Sequence, residues 1–193
     1  EPFSVQGNTY IKHAPRKRAD RVRIITVRDG AETRVDLQYN ITRAFMTWTI
    51  IEILRHTGIR IEEMLELTHL SIKQYRKPDG TVIPLLQIAP SKTDQERIFP
   101  CSPELTTTLA RLVDFVSIDG RVPLCCRIDT QERQVSAPLP HLIQIREGGR
   151  SRVINQCTVR KWLSELANSM ALTGADGAAL YFTPHDFRRI FIT

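Results

Sequence analysis

The sequence predicts a mainly α domain with a small antiparallel β-sheet, an α+β arrangement, on three observations. Apolar residues recur at helical spacing after Asn40, after Ser102 and from Thr158 onward. Between the first two of these segments the pattern changes to alternation on either side of Lys77-Pro78-Asp79-Gly80, a turn sequence between two β-rich runs. The composition, 41% hydrophobic and 25% charged over 193 residues, belongs to a globular chain long enough to bury a core without staples.

Composition also excludes whole classes. With 9 Gly and 11 Pro the chain is neither collagen-like nor of low complexity, and its periodicity is not that of a coiled coil. No apolar run approaches the roughly 18 residues of a membrane-spanning helix, and no basic stretch followed by an apolar run opens the chain. The expectation is a soluble, cytoplasmic protein. Lys+Arg 27 against Asp+Glu 21 gives a formal charge of +6, mildly basic. The chain starts at Glu1 rather than Met and reads as a piece of a longer polypeptide, with Ile190–Thr193 resembling a helix cut short.

Cys101, Cys125, Cys126 and Cys157 form no C-x-x-C pair, so no metal or redox role is expected of them. They read as reduced thiols filling apolar space. On a strand, Cys125 and Cys126 would point to opposite faces.

Residues 1–36 have weak periodicity and concentrate basic charge at Lys12, Arg16, Lys17, Arg18, Arg21, Arg23 and Arg28, with Asp20 the one acid among them. The segment reads as a basic linker or N-terminal extension, in which Val22–Val27 could add an edge strand. A phosphate backbone is one natural partner for such charge, and a solvated surface is the ordinary alternative. The domain proper is expected over 37–193.

Asn40 is the expected N-cap of a helix whose stripe is Ile41, Ala44, Phe45, Trp48, Ile51 and Leu54, and Gly58 is its expected stop. A second helix over 59–68 offers Met64, Leu65 and Leu67 to the core. Three strands follow, in SIKQYR, TVIPLLQIA and ERIFPC. Pro103 and Glu104 suit the first turn of a helix carrying Leu105, Leu109, Leu112 and Val116. Residues 119–150, broken by Pro123, Pro138, Pro140 and Gly148-Gly149, read as a loop-rich insertion with short strands. Thr158–Ala171 is helical through Val159, Trp162, Leu163 and Leu166, and Thr183-Pro184 opens a final helix.

Three segments place reactive residue types at element boundaries. Thr57-Gly58-Ile59-Arg60-Ile61-Glu62-Glu63 sets an arginine at the head of a helix with a carboxylate three residues on, where Glu63 can hold Arg60. A guanidinium fixed beside helical N–H groups favours an anionic phosphate. Ser91-Lys92-Thr93-Asp94 puts a lysine on the turn between two strands. Pro184-His185-Asp186-Phe187-Arg188 puts His185 and Arg188 on one face at the positive end of a helix. Taken singly, each is explained as well by surface ion pairs and solvated side chains.

As an ordered set, HTGIRIEEMLEL, PSKTDQERIFP and TPHDFRRIFIT resemble the catalytic domain of the tyrosine recombinases, the phage-integrase family, over about residues 40–193. LIQIREGGRSRVINQCTVRKWLSEL is similar to the strand-then-helix segment that precedes H-x-x-R in that family, whereas 119–150 is longer and less typical. The resemblance implies the DNA breaking-rejoining fold and a site of Arg60, Lys92, His185 and Arg188 around one scissile phosphate, with Glu63 as supporting carboxylate. It implies duplex DNA as partner, a homo-oligomer assembled on it, a bacterial or phage-encoded source, and neither metal nor cofactor.

In that mechanism a tyrosine attacks phosphorus to give a 3′-phosphotyrosyl intermediate, so the strand is rejoined without ATP. Arg60 and Arg188 would clamp the nonbridging oxygens. Lys92 would protonate the leaving 5′ oxygen, and His185 would move a proton near the phosphate. All four residues are expected to converge on one basic surface. The family's tyrosine follows H-x-x-R, whereas Tyr10, Tyr39, Tyr75 and Tyr181 all precede His185, so the chain as given is expected not to cleave DNA. Tyr181 reads as a core or hinge aromatic. The alternatives are a noncatalytic DNA-binding relative, a type IB topoisomerase-like enzyme and, more distantly, an RNA-binding or structural module using the basic patch.

Overall fold

The computed structural model describes the chain except residues 1, 6–7, 14–22, 29–30, 91–94, 130–132, 148 and 193; at 2–3, 5, 8, 12–13, 23–28, 31–34 and 192 it describes the backbone alone. Helices and small antiparallel sheets are mixed along it, with more strand than the sequence led us to expect.

The largest departure comes first in the chain. Strands β1 (Pro2–Val5), β2 (Asn8–His13), β3 (Arg23–Arg28) and β4 (Ala31–Asp36) pair in order as a four-stranded antiparallel meander. The expectation of an edge strand over Val22–Val27 is thus corrected in its place: β3 lies between β2 and β4, with Ile24 opposite Val35 and Thr26 opposite Thr33. These strands are short and interleave β-branched residues with charges, which suits a sheet but blurs its period in the sequence.

Asp36 ends β4 and caps helix α1 (Leu37–Thr57), its carboxylate accepting the Tyr39 N–H at 2.9 Å. The helix therefore begins before Asn40, the expected cap, which lies within its first turn. Gly58 ends it as expected, in the left-handed region at φ 58°, with its N–H on the Leu54 carbonyl at 2.9 Å. The buried face is Met46, Ile50, Ile53, Leu54 and Thr57, flanked by Thr47 and Thr49. Of the expected stripe, Leu54 is buried, Phe45 and Ile51 are partly covered, and Ile41 and Trp48 are exposed. The cause is that α1 packs against several other helices, so burial is spread around it rather than kept to one stripe.

Helix α2 (Ile61–Glu66) turns away immediately after Gly58 and buries Met64 and Leu65, with Leu67 just beyond it. Strands β5 (Ile72–Arg76), β6 (Val82–Ile88) and β7 (Arg97–Pro100) form the expected three-stranded antiparallel sheet. Its first turn is closed by the Gly80 N–H on the Lys77 carbonyl at 3.0 Å, and β6 sends Leu86 and Ile88 into the core.

Helix α3 (Pro103–Val116) has Ser102 as N-cap and buries Leu105, Leu109, Leu112 and Val116, as its pattern predicts. Residues 119–150 hold the two-residue strands β8 (Ile128–Asp129) and β9 (Gln134–Val135), then β10 (Gln144–Glu147), which pairs with β11 (Arg150–Val153). Asn155 caps helix α4 (Gln156–Ser169), which buries Val159, Trp162 and Leu163 but leaves Leu166 at the surface. Helix α5 (Pro184–Ile192) closes the described chain against α1.

All four cysteines are free. Cys125 is buried, and burial pushes its thiol up in pKa; Cys101 is half-buried with the same shift. Cys126 and Cys157 are exposed, so the expectation that all four fill apolar space holds for only part of the set. Among the described residues, no helix is long and apolar enough to cross a membrane, and no group of three or more His, Cys, Asp or Glu is placed to hold a metal ion.

Candidate functional site around Arg60

Gly58 turns the chain, Ile59 anchors it in the core, and Arg60 becomes the N-cap of α2 with extended backbone. The Glu63 carboxylate reaches back one turn, its Oε2 accepting the Arg60 backbone N–H at 2.8 Å and its Oε1 the Arg60 Nη1 at 3.1 Å. The first of these bonds is the carboxylate half of a capping box. Glu63 is only 2% exposed. A carboxylate that deep must be paired, because desolvation of an isolated charge is expensive.

A second guanidinium completes the pairing. Arg97, the first residue of β7, places Nη2 2.6 Å from Glu63 Oε2. One buried anion therefore holds two cations whose side chains stay about a third exposed, 39% for Arg60 and 33% for Arg97. Guanidinium groups that keep part of their surface in solvent suit an anionic ligand. Sequence reasoning found the Arg60–Glu63 pair from its helical spacing but missed Arg97. The alternation of RIFP on the last strand puts Arg97 and Phe99 on one face, yet nothing local marks which element that face meets.

The remaining cationic residues arrive on α5. Thr183 precedes it, and the Asp186 carboxylate accepts both the Thr183 N–H at 2.8 Å and its hydroxyl at 2.7 Å. The Thr183 N–H, then its hydroxyl, hold Asp186 below the usual carboxylate range, with Arg189 and His185 adding to the effect. Pro184 is buried at the first position, His185 is exposed, and Arg188 is half-buried. Phe187 packs against the core. Phe191, one turn beyond Arg188, lies against Gly58: a Cβ at Gly58 would run into the Phe191 ring. The helix bearing His185 and Arg188 is thereby docked on the corner that leads into Arg60.

Lys92 lies outside the described residues, as do Arg16, Lys17, Arg18 and Arg21, and the side chains of Lys12 and Arg23 are not described. Tyr181, expected as a core or hinge aromatic, is 65% exposed in the loop before α5 and is not part of the core.

The opposite flank of α2 has a different make-up. Arg127 pairs with Glu62, with Glu66 at 3.1 Å and with Asp129 at 3.2 Å, while Gln156 donates to Glu62. Burial raises the Glu66 carboxyl pKa; Arg127 opposes the shift, and Glu62, Asp129 and Glu63 reinforce it. Beside this group His141 is buried, and neither ring nitrogen has a hydrogen-bond partner. Burial first, and the charge of Arg127 second, lower its pKa.

No protein-family model matches the sequence, and no curated protein matches it. Among solved structures, the chain is similar to the Tn1549 transposon integrase in complex with circular intermediate DNA, at 17% identity and a TM-score of 0.44, over 80% of this chain and 48% of that one. The chain thus spans about half the length of that integrase structure.

Proposed function

We propose that this chain is the DNA-binding catalytic core of a tyrosine-type site-specific recombinase, 37–193 being the catalytic domain and 1–36 an N-terminal extension. In the parent protein it acts by phosphodiester transesterification through a 3′-phosphotyrosyl intermediate. The observation that carries the reading is Arg60, fixed at the head of α2 by buried Glu63, with the helix of His185 and Arg188 docked on the same corner. A guanidinium oriented before substrate arrives stabilises charge building on phosphate oxygens without reorganising during the reaction. Arg60 and Arg188 form the clamp, Lys92 protonates the departing 5′ oxygen, and His185 moves a proton beside the phosphate. Duplex DNA is the partner, also engaged by Lys12, Arg16, Lys17, Arg18, Arg21 and Arg23, and copies of the parent assemble on it.

Titration of labelled duplex at two salt concentrations tests the binding half of this reading. Affinity should fall steeply as salt rises, because phosphate contacts release counterions. Arg60→Ala and Arg188→Ala should each weaken it. Binding indifferent to salt and to both substitutions would overturn the reading. The chemical half is tested with a nicked suicide duplex and denaturing electrophoresis. Residues 1–193 alone should form no covalent adduct, since each of their tyrosines precedes His185. A longer polypeptide carrying a tyrosine beyond α5 should form one, abolished by Arg60→Ala or Arg188→Ala. An adduct from residues 1–193 alone would refute the assignment of the nucleophile.

A further inference from the structure

Glu63 and Arg60 lie three residues apart on one helical turn, so their pairing is local and could form in any copy of that turn. The Arg97 contact is different in kind, because it crosses from α2 to the first residue of β7. Its place on the carboxylate is also particular. Arg97 Nη2 binds Oε2 at 2.6 Å, the same oxygen that accepts the Arg60 backbone N–H at 2.8 Å, while Oε1 takes the Arg60 guanidinium at 3.1 Å. Two donors from two elements on one oxygen fix the rotation of the carboxylate about its last torsion, a broad and otherwise soft degree of freedom. The direction of Oε1, and so of the Arg60 guanidinium, follows from that rotation. Arg97 is itself steadied by Phe99, over whose ring its guanidinium lies at 5.8 Å.

We propose that Arg97 is a positioning residue for Arg60: through Glu63 it aims the Arg60 guanidinium, so that the three side chains act as one unit in binding a phosphodiester. The proposal rests on the functional reading above for the identity of the anion, but the aiming of Arg60 is measurable without any DNA. A mere staple between α2 and β7 would stabilise the fold and leave the state of Arg60 unchanged once the protein is folded.

The test uses the full chain labelled with nitrogen-15, in which the Arg60 Nη1–H resonance is assigned by its loss in Arg60→Lys. In folded Arg97→Ala that resonance should shift, and its exchange with solvent should speed up about tenfold, the size of one charge-assisted hydrogen bond. Arg97→Lys, which keeps the charge and a donor, should return it part of the way. Duplex affinity should fall about tenfold in Arg97→Ala, and by less than about twofold when the same change is made on Arg60→Ala, because the two residues act as a unit. If Arg97→Ala does not fold, Arg97→Gln takes its place and is compared with Arg97→Lys by the same resonance. An Arg60 resonance unmoved in Arg97→Ala or Arg97→Gln overturns the proposal, and so do affinity losses that add in full. Should the unsubstituted chain not bind duplex at all, the functional reading fails, and the resonance still decides the positioning.

Discussion

On one side of α2 a single buried carboxylate, Glu63, holds two arginines; on the other a single arginine, Arg127, 11% exposed, holds three carboxylates. The buried partner decides which sign faces water. Glu63 is inside, so Arg60 and Arg97 present positive charge outward; Arg127 is inside, so Glu62, Glu66 and Asp129 present negative charge. The two sides also differ in whether their charged groups can titrate. On the acidic side burial, as the leading cause, raises the pKa of Glu66. Arginine does not release its proton in the accessible range, so the guanidinium groups on the Glu63 side stay charged. Neighbouring residues on one turn, Glu62 and Glu63, thus join two ion clusters, one tied by an inner arginine and one by an inner carboxylate.

The largest effect should come from emptying the Glu63 side. Arg60→Ala combined with Arg97→Ala leaves a buried carboxylate without either guanidinium and should cost about 3–5 kcal/mol in chemical denaturation. Adding Glu63→Gln should recover part of it, and a loss below about 1 kcal/mol would break the contrast. Arg127→Ala should cost less, about 2 kcal/mol, because its three partners are partly exposed and can rehydrate.

His141 gives a pH test of the acidic side. Its pKa is lowered in the folded state by burial and by Arg127, so the unfolded chain binds more protons as pH drops. Its contribution is present above the ordinary histidine value of about 6.5 and is lost as pH falls below it. Thermal melts from pH 7 to pH 5 should show that loss, and His141→Leu should flatten it. The smallest effect belongs to Glu66→Gln. A raised carboxyl pKa means stability present at low pH and lost as pH rises through the carboxylate range, so at neutral pH the amide should change stability by no more than about 0.5 kcal/mol. A large destabilisation would show that Glu66 supports the tie rather than burdening it.

Local signals were the readable ones. Gly58 as a stop, Ser102 with Pro103, Thr183 with Pro184 and the Lys77–Gly80 turn each depend on a few neighbouring residues, and each shaped the chain as read. Arg60 and Glu63 were visible for the same reason. The face of α1 was not, because four other helices determine what it buries. Asn40 reads as its cap because the apolar pattern becomes clear only after it, while the helix starts three residues earlier, at Leu37. Arg127 and Gln156 meet Glu62 across separations of 65 and 94 residues, distances at which no periodicity carries information. Arg97 was overlooked likewise, its charge being unremarkable until the sheet is folded against α2.

The contact between Gly58 and Phe191 sets a rule for mutational tolerance. Two separate penalties meet any side chain at position 58: a left-handed backbone at φ 58°, costing about 1–2 kcal/mol for other residues, and a collision with the Phe191 ring. Trimming Phe191 removes the second penalty and leaves the first. In a saturation library, position 58 should therefore favour glycine strongly, and a background where position 191 has been reduced to alanine should relax that preference without abolishing it. Position 191 should accept smaller residues at a cost paid in the docking of α5 rather than in the path of the chain. A position closed to most side chains then stands two residues before Arg60, on a residue that contributes no side chain at all.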